Sequence, residues 1–116
     1  MELTTLRIFP SQEQRPHVLS VLRSVQGPTA IKPGCECCRI YEEDGHDKAV
    51  LYVECWESEE DFERHIRSDI YRRVLEAIEL SRMPPELRYH HVTESKGIDW
   101  VGALRSTDSR SALTNR

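Results

Sequence analysis

Apolar and polar positions follow two rhythms along this chain. Thr4 to Phe9 is β-branched or apolar at most positions, which predicts a first strand ended by Pro10 and Ser11. Ser11 and Gln14 have capping-box spacing. Proline is comfortable only in a helix's first turn, so Pro16 sets the helix start near Arg15. Val18, Val21, Leu22 and Val25 follow the i, i+3, i+4, i+7 rule and form one buried stripe. Gly27-Pro28 stops this helix, and Thr29 to Gly34 connects onward through a Pro33-Gly34 turn.

Two strands come next, Cys35 to Glu43 and Lys48 to Glu57, around the hairpin signal Asp44-Gly45. With a loop of two or four residues, even positions of the second strand share a face with odd positions of the third. One face then carries Cys38, Ile40, Leu51, Val53 and Cys55 and reads as core. The other carries Cys37, Arg39, Tyr41, Tyr52, Glu54 and Trp56, a mixture that suits a cleft or a subunit contact. A loop of three or five residues would break this assignment.

Ser58 is a good N-cap, and Glu59, Glu60 and Asp61 complement the positive end of a short helix carrying Phe62, His65 and Ile66. Ser68 and Asp69 are placed to cap a further helix. There Tyr71, Val74, Leu75 and Ile78 form the core stripe, while Arg72, Arg73, Glu76 and Glu79 face water. Met83-Pro84-Pro85 ends it. Leu87 to Thr93 is the fourth strand, Ile98 to Leu104 a short edge strand, and Ser106 to Arg116 a polar, mobile tail. The order β-α-β-β-α-β, with the second helix split, predicts an α+β, ferredoxin-like antiparallel sheet with helices on one face. This fills one domain over residues 1–104, followed by the tail at 105–116. The open sheet face needs a cover, and a second copy of the chain is the expected one.

Composition narrows the classes. A chain of 116 residues fits one domain. Its net charge of -4, with bases interleaved among acids, argues against nucleic acid as a partner. The apolar run Ala49 to Val53 is too short to span a bilayer, and MELTTLRIFP lacks the order of a signal peptide. A cytoplasmic protein without a membrane partner is expected. Three of the four cysteines, Cys35, Cys37 and Cys38, crowd one strand, with Cys55 apart. Strand neighbours point to opposite faces, which disfavours a metal site, so small buried hydrophobes in a reducing compartment are expected.

The residues Leu51-x-x-Glu54-x-Trp56-x-Ser58, then Phe62-x-x-His65, Ser68 and Tyr71, resemble the antibiotic biosynthesis monooxygenase family. Pro33-Gly34-Cys35, leading into the second strand, fits as well. The resemblance covers roughly Leu3 to Val101. It implies a dimeric α+β barrel in which two sheets pack together with helices outside. Family members include cofactor-independent monooxygenases of quinols and polyaromatic phenols, and haem-degrading enzymes. In the haem branch a tryptophan occupies the position of His65, and the iron-ligating histidine lies ten residues on. That position is Leu75, which cannot ligate iron. The resemblance therefore implies neither haem nor any other cofactor, and no metal.

A cofactor-free oxygenase asks little of its protein. The substrate supplies the electrons once deprotonated, and the protein offers a dry pocket, a base and a donor for the developing anion. His65 is the candidate catalytic base, since histidine titrates near neutral pH and here borders the apolar helix face, three residues after Phe62. The plainer role is a hydrogen bond to a backbone carbonyl in the helix–sheet seam. Trp56, Tyr71, Arg39 and Tyr52 are the candidate substrate-binding residues. Trp56 offers a flat wall and an N–H, or else a core side chain closing the barrel end. Tyr71 packs first and uses its hydroxyl second. Arg39 stabilises an anion, or pairs across strands with Glu54. His90 and His91 point to opposite faces, so they do not make a paired metal site. Two functions follow: a homodimeric monooxygenase acting on a quinol or phenol, and a non-catalytic or stress-associated dimeric module binding a small aromatic ligand.

Overall fold

The computed structural model describes the backbone of residues 1–114 and the side chains of residues 1–106. Four strands, β1 (Glu2–Ile8), β2 (Cys35–Glu42), β3 (Val50–Trp56) and β4 (Glu86–His91), form one sheet in the order β2-β3-β1-β4. Every neighbouring pair is antiparallel, which is the ferredoxin-like arrangement. Helices α1 (Arg15–Ala30), α2 (Glu59–Ile66) and α3 (Tyr71–Glu79) accompany it, and α4 (Ile98–Thr114) closes the described chain.

The hairpin differs from the expected one. The Glu43 N–H bonds to the Ala49 carbonyl at 2.9 Å, which leaves a loop of five residues, Asp44 to Lys48. Gly45 and Lys48 turn the chain there with φ of 140° and 47°. The odd loop length reverses the facing: Ile40 meets Tyr52 and Cys38 meets Glu54, with a register shift between Cys35 and Cys37. The helix-facing side therefore carries Cys38, Val50, Tyr52, Glu54 and Trp56, all buried, beside Leu6 and Ile8 of β1. Leu51, Val53 and Cys55, expected in the core, lie on the open face and are only half-buried. Cys37 sits opposite Cys55 there, Cα to Cα 4.9 Å, and the two form a disulfide. They are thus not the reduced core thiols anticipated, whereas Cys38 is a buried free thiol in the core.

The core joins the inner sheet face to Val18, Leu19, Leu22 and Val25 of α1 and to Tyr71, Val74 and Ala77 of α3. Helix α1 runs through Gly27-Pro28 to Ala30. A proline this near the end forfeits one helical bond, and the fully buried Thr29 ties the last turn to the core. On α3, Ala77 is buried while Leu75 is 49% exposed. Ser68 does not cap α3: the N-cap is Ile70, and the Ser68 hydroxyl donates instead to the His65 carbonyl at 2.5 Å. The segment expected as an edge strand, Ile98 to Leu104, is the start of α4, which continues through the residues read as a tail. A strand needs a ladder partner, whereas a helix satisfies its own backbone. Residues 115 and 116 lie outside those described.

Candidate functional site

Strand period brings Tyr52, Glu54 and Trp56 to one face of β3, aimed at the helices. Two residues later the chain turns into α2. Ser58 caps that helix by accepting the Asp61 N–H at 3.2 Å. This early start fixes the helical phase, so that Phe62 and His65, three residues apart, both turn inward and are buried. His65 therefore lands over Glu54 and Trp56.

The result is one connected line of polar groups inside the domain. His65 Nε2 lies 2.9 Å from Glu54 Oε2. The Tyr52 hydroxyl donates to the same oxygen at 2.5 Å, and Trp56 Nε1–H donates to Oε1 at 2.9 Å. Behind Tyr52, the Cys38 thiol donates to its hydroxyl at 3.3 Å. On the outward side, Lys32 Nζ stands 2.9 Å from His65 Nδ1 and donates to Ser68 Oγ at 3.0 Å. The donor count assigns the tautomer. An ammonium offers only donors, so Nδ1 is the acceptor and Nε2 carries the hydrogen given to Glu54. Glu54 thus receives three donors from three residues and is satisfied where it is buried.

Aromatic rings frame His65. The Trp56 ring is 4.8 Å from it, centroid to centroid, and Tyr71 meets it edge-on at 5.3 Å. Burial, with the Glu54 charge second, pushes the Tyr71 hydroxyl up to about 12. The same two causes, in that order, raise Tyr52 further, and burial raises Cys38 to about 11. These hydroxyls and this thiol stay protonated near neutral pH and act as donors. Burial also lowers Lys32, against the opposing pull of Glu54 and then Cys35.

Outside this line lies a pocket of about 290 Å³ walled by Lys32, Pro33, Trp56, Asp61, Arg64, His65 and Ser68. Gly34, next to Pro33, has a φ of 83° and accepts the Glu57 N–H on its carbonyl at 2.7 Å. A Cβ added at Gly34 would fall onto the Asp61 carboxylate. Asp61 in turn holds Arg64 at 3.1 Å and accepts the Ser58 hydroxyl at 2.9 Å. A pocket of similar size opens beside the β2–β3 loop, lined by Pro10, Gln12, Arg15, His46, Asp47, Lys48 and Arg82. It has no aromatic wall, and Arg15 there is already held by Glu42 and the Lys48 carbonyl.

Four of the five residues expected at the site, His65, Trp56, Tyr52 and Tyr71, meet in one cluster. Arg39 does not: it stands opposite Val53 on the open sheet face, on the other side from Glu54. The five-residue loop is the cause, so the expected Arg39–Glu54 pairing is replaced by the Glu54–His65 bond. Lys32 carries no signal in the sequence, since it sits in a connector without periodicity. Ser68 belongs to the motif that resembles the family, but the cap expected of it is replaced by the contact to Lys32. Leu75, the position of the haem ligand in the haem branch, is on an exposed face of α3.

A family model described as antibiotic biosynthesis monooxygenase matches residues 3–77. The chain belongs to this family. The match spans every element from β1 into α3, including Lys32, Glu54, Trp56, His65 and Ser68. Solved structures agree on the fold. Rv0793 from Mycobacterium tuberculosis superposes with a TM-score of 0.74 at 18% identity, covering 83% of this chain and 98% of its own. An antibiotic biosynthesis monooxygenase gives 0.71 at 16%, covering 81% and 100%. A conserved protein from Methanosarcina mazei Go1 gives 0.70 at 18%, covering 78% and 92%. No curated protein matches the sequence. In this antibiotic biosynthesis monooxygenase family member, Trp56 and His65 stand on the pocket wall and Glu54 is buried behind them. Among the described residues, no helix is long and apolar enough to cross a membrane.

Proposed function

We propose that this family member is a cofactor-independent monooxygenase of a small quinol or phenol, with His65 as its base. The observation behind this reading is the buried Glu54–His65 hydrogen bond at the wall of an aromatic-lined pocket. Glu54 orients the imidazole through Nε2–H and leaves Nδ1 on the side of Lys32, whose N–H would pass from Nδ1 to the substrate oxygen and free that nitrogen to act as a positioned general base. His65 would take the phenolic proton. The electron-rich ring carbon of the phenolate would then bond to dioxygen, and loss of water from the hydroperoxide would leave a quinone carbonyl. One oxygen atom goes to the product and the other to water. Trp56 supplies the flat wall for the ring, and Tyr71 and Tyr52, protonated and buried, hold the imidazole and Glu54 in place.

His65→Ala is expected to lower oxygen uptake with a reactive quinol at least roughly a hundredfold, the lower range for a lost general base. An oxygen electrode supplied with a panel of quinols and polyphenols measures it. Unchanged uptake in the variant removes His65 from the mechanism. One observation favours a second reading, a ligand-binding module without turnover: the His65 side chain is fully covered, with Lys32 resting on Nδ1. That module would bind small aromatics and consume no oxygen with any of them.

The same reading includes a homodimer of soluble chains. The open sheet face carries half-buried Leu3, Leu51 and Val53 and the exposed Tyr41, with no helix above them. A second copy of that face is its natural cover.

A further inference from the structure

We propose that Lys32 is the anion receptor of this pocket, and that the site takes acidic phenols or enols in their deprotonated form, the oxyanion held on the Lys32 ammonium. The proposal rests on the reading of the pocket as an aromatic-ligand site. It goes beyond it by naming the ionic form of the ligand and the group that selects it.

Lys32 makes no direct ion pair; the Glu54 charge acts on it only across the His65 ring. Among the described residues no carboxylate lies within ion-pair distance of its Nζ. Its hydrogen-bond partners are the His65 Nδ1 and the Ser68 Oγ, neither of them a carboxylate. Glu54 is nearest in the chain of contacts, but its oxygens are already engaged by Tyr52, Trp56 and His65. Arg64, the other cation on the pocket wall, is paired with Asp61 at 3.1 Å. The positive charge on the pocket wall without a direct carboxylate partner is therefore the one on Lys32. Partly withdrawn from water, that charge gains more from an anion than an exposed lysine does.

The donor count points the same way. An ammonium has three N–H groups. One is directed at Nδ1 and one at Ser68 Oγ, which leaves a third for a ligand in the pocket that Lys32 lines. The 2.9 Å separation of Nζ and Nδ1 matters too. An oxygen at hydrogen-bonding distance from both, roughly 2.8 Å, completes a near-equilateral triangle. A phenolic oxygen at that apex takes over the N–H now given to Nδ1, which frees that nitrogen for the proton and leaves the charge of the phenolate on the cation. Trp56, on the same wall, offers the ring a face. The pocket volume is near the small end of ligand sites, about 300–1,000 Å³, and suits a ligand of one or two rings.

4-Nitrophenol is the probe, because its phenolate absorbs in the visible and its phenol does not. The full-length protein is titrated with it at a pH below the ligand's own pKa, in the absence of turnover. Wild type is expected to develop the phenolate band on binding. Lys32→Met, checked by near-UV circular dichroism for an intact fold, is expected to lose the band and bind roughly tenfold more weakly or worse, as for a lost charged hydrogen bond. Lys32→Arg restores a cation and should recover the band. Binding of the neutral phenol to wild type, no binding at all, or a band that survives in Lys32→Met would each overturn the proposal. Oxygen uptake is scored separately. A band without uptake from any quinol retains the anion receptor and removes the monooxygenase reading. Uptake without a band does the reverse.

Discussion

Glu54 is the residue on which the interior depends. It is buried, ionisable and satisfied only by three converging donors, Tyr52, Trp56 and His65. A buried carboxylate survives in such a place because each oxygen is bonded, and removing that match leaves donors facing nothing. Glu54→Gln keeps the shape but turns an amide N–H₂ toward at least one N–H or O–H. The expected cost is about 3 kcal/mol in urea unfolding. A midpoint that does not move would mean the three donors find other partners. At this scale the sequence told half the story. Tyr52, Glu54 and Trp56 alternate on one strand face, and that was legible. His65 on an inward helix stripe was legible too. Their meeting with Glu54 was not, because Glu54 had been matched to Arg39 through a loop length that sequence alone leaves open. Lys32 was invisible for a different reason: a lone lysine in a connector carries no periodicity and no motif.

At the scale of elements, β4 shows how an edge strand is held largely by polar contacts. Its residues are exposed along its whole length, and Leu87 and Tyr89 on its inner face are no exception. Besides the ladder to β1, Arg7 holds Glu86 at 2.7 Å, Phe62 meets the Tyr89 ring edge-on, and the Glu2 carboxylate accepts the Tyr89 hydroxyl at 2.6 Å and lies 2.8 Å from His91 Nδ1. The Tyr89 hydrogen bond first, and His91 second, hold the Glu2 carboxyl below its ordinary value. A carboxyl depressed in the folded state stabilises it above the unfolded pKa, about 4.3 for glutamate, and loses that contribution as pH falls through the folded pKa. Stability should thus decline with acid from about pH 4 downward, and Glu2→Gln should flatten part of that decline in urea midpoints measured across it. Identical acid profiles for variant and wild type would take Glu2 out of the account. The strands themselves, the Ser58 cap and the phase of α2 could be read from periodicity and capping chemistry. The end of α1 and the whole of α4 could not. Pro28 is a stop signal whose local cost a packed last turn outweighs. Residues Ile98 to Leu104 are apolar enough for either state, and periodicity over so short a run does not decide between them.

The molecule as a whole is long for its size. Its radius of gyration is 18.4 Å, against about 13 Å for a compact chain of this length, and its long axis reaches 59 Å. Helix α4 exposes Ile98, Trp100, Val101 and Leu104, with Lys96 lying over the Trp100 ring. Exposed apolar side chains grouped in this way, like those of the open sheet face, suit a surface that a second chain covers. Light scattering at micromolar concentration is expected to give twice the chain mass, and a monomer there would refute the homodimer. The ferredoxin-like order of elements was fully legible, because it depends on where strands and helices fall and not on the loop length that misdirected the faces.

Gly34 links these scales. Its left-handed backbone admits the Asp61 carboxylate where any side chain would stand, and Asp61 in turn holds Arg64 and the Ser58 hydroxyl at the mouth of the pocket. Position 34 is therefore held to glycine twice over, once by its backbone and once by the carboxylate beside it. A change at position 61 would relieve the crowding and leave the backbone strain, so the two positions are not free to drift as a compensating pair.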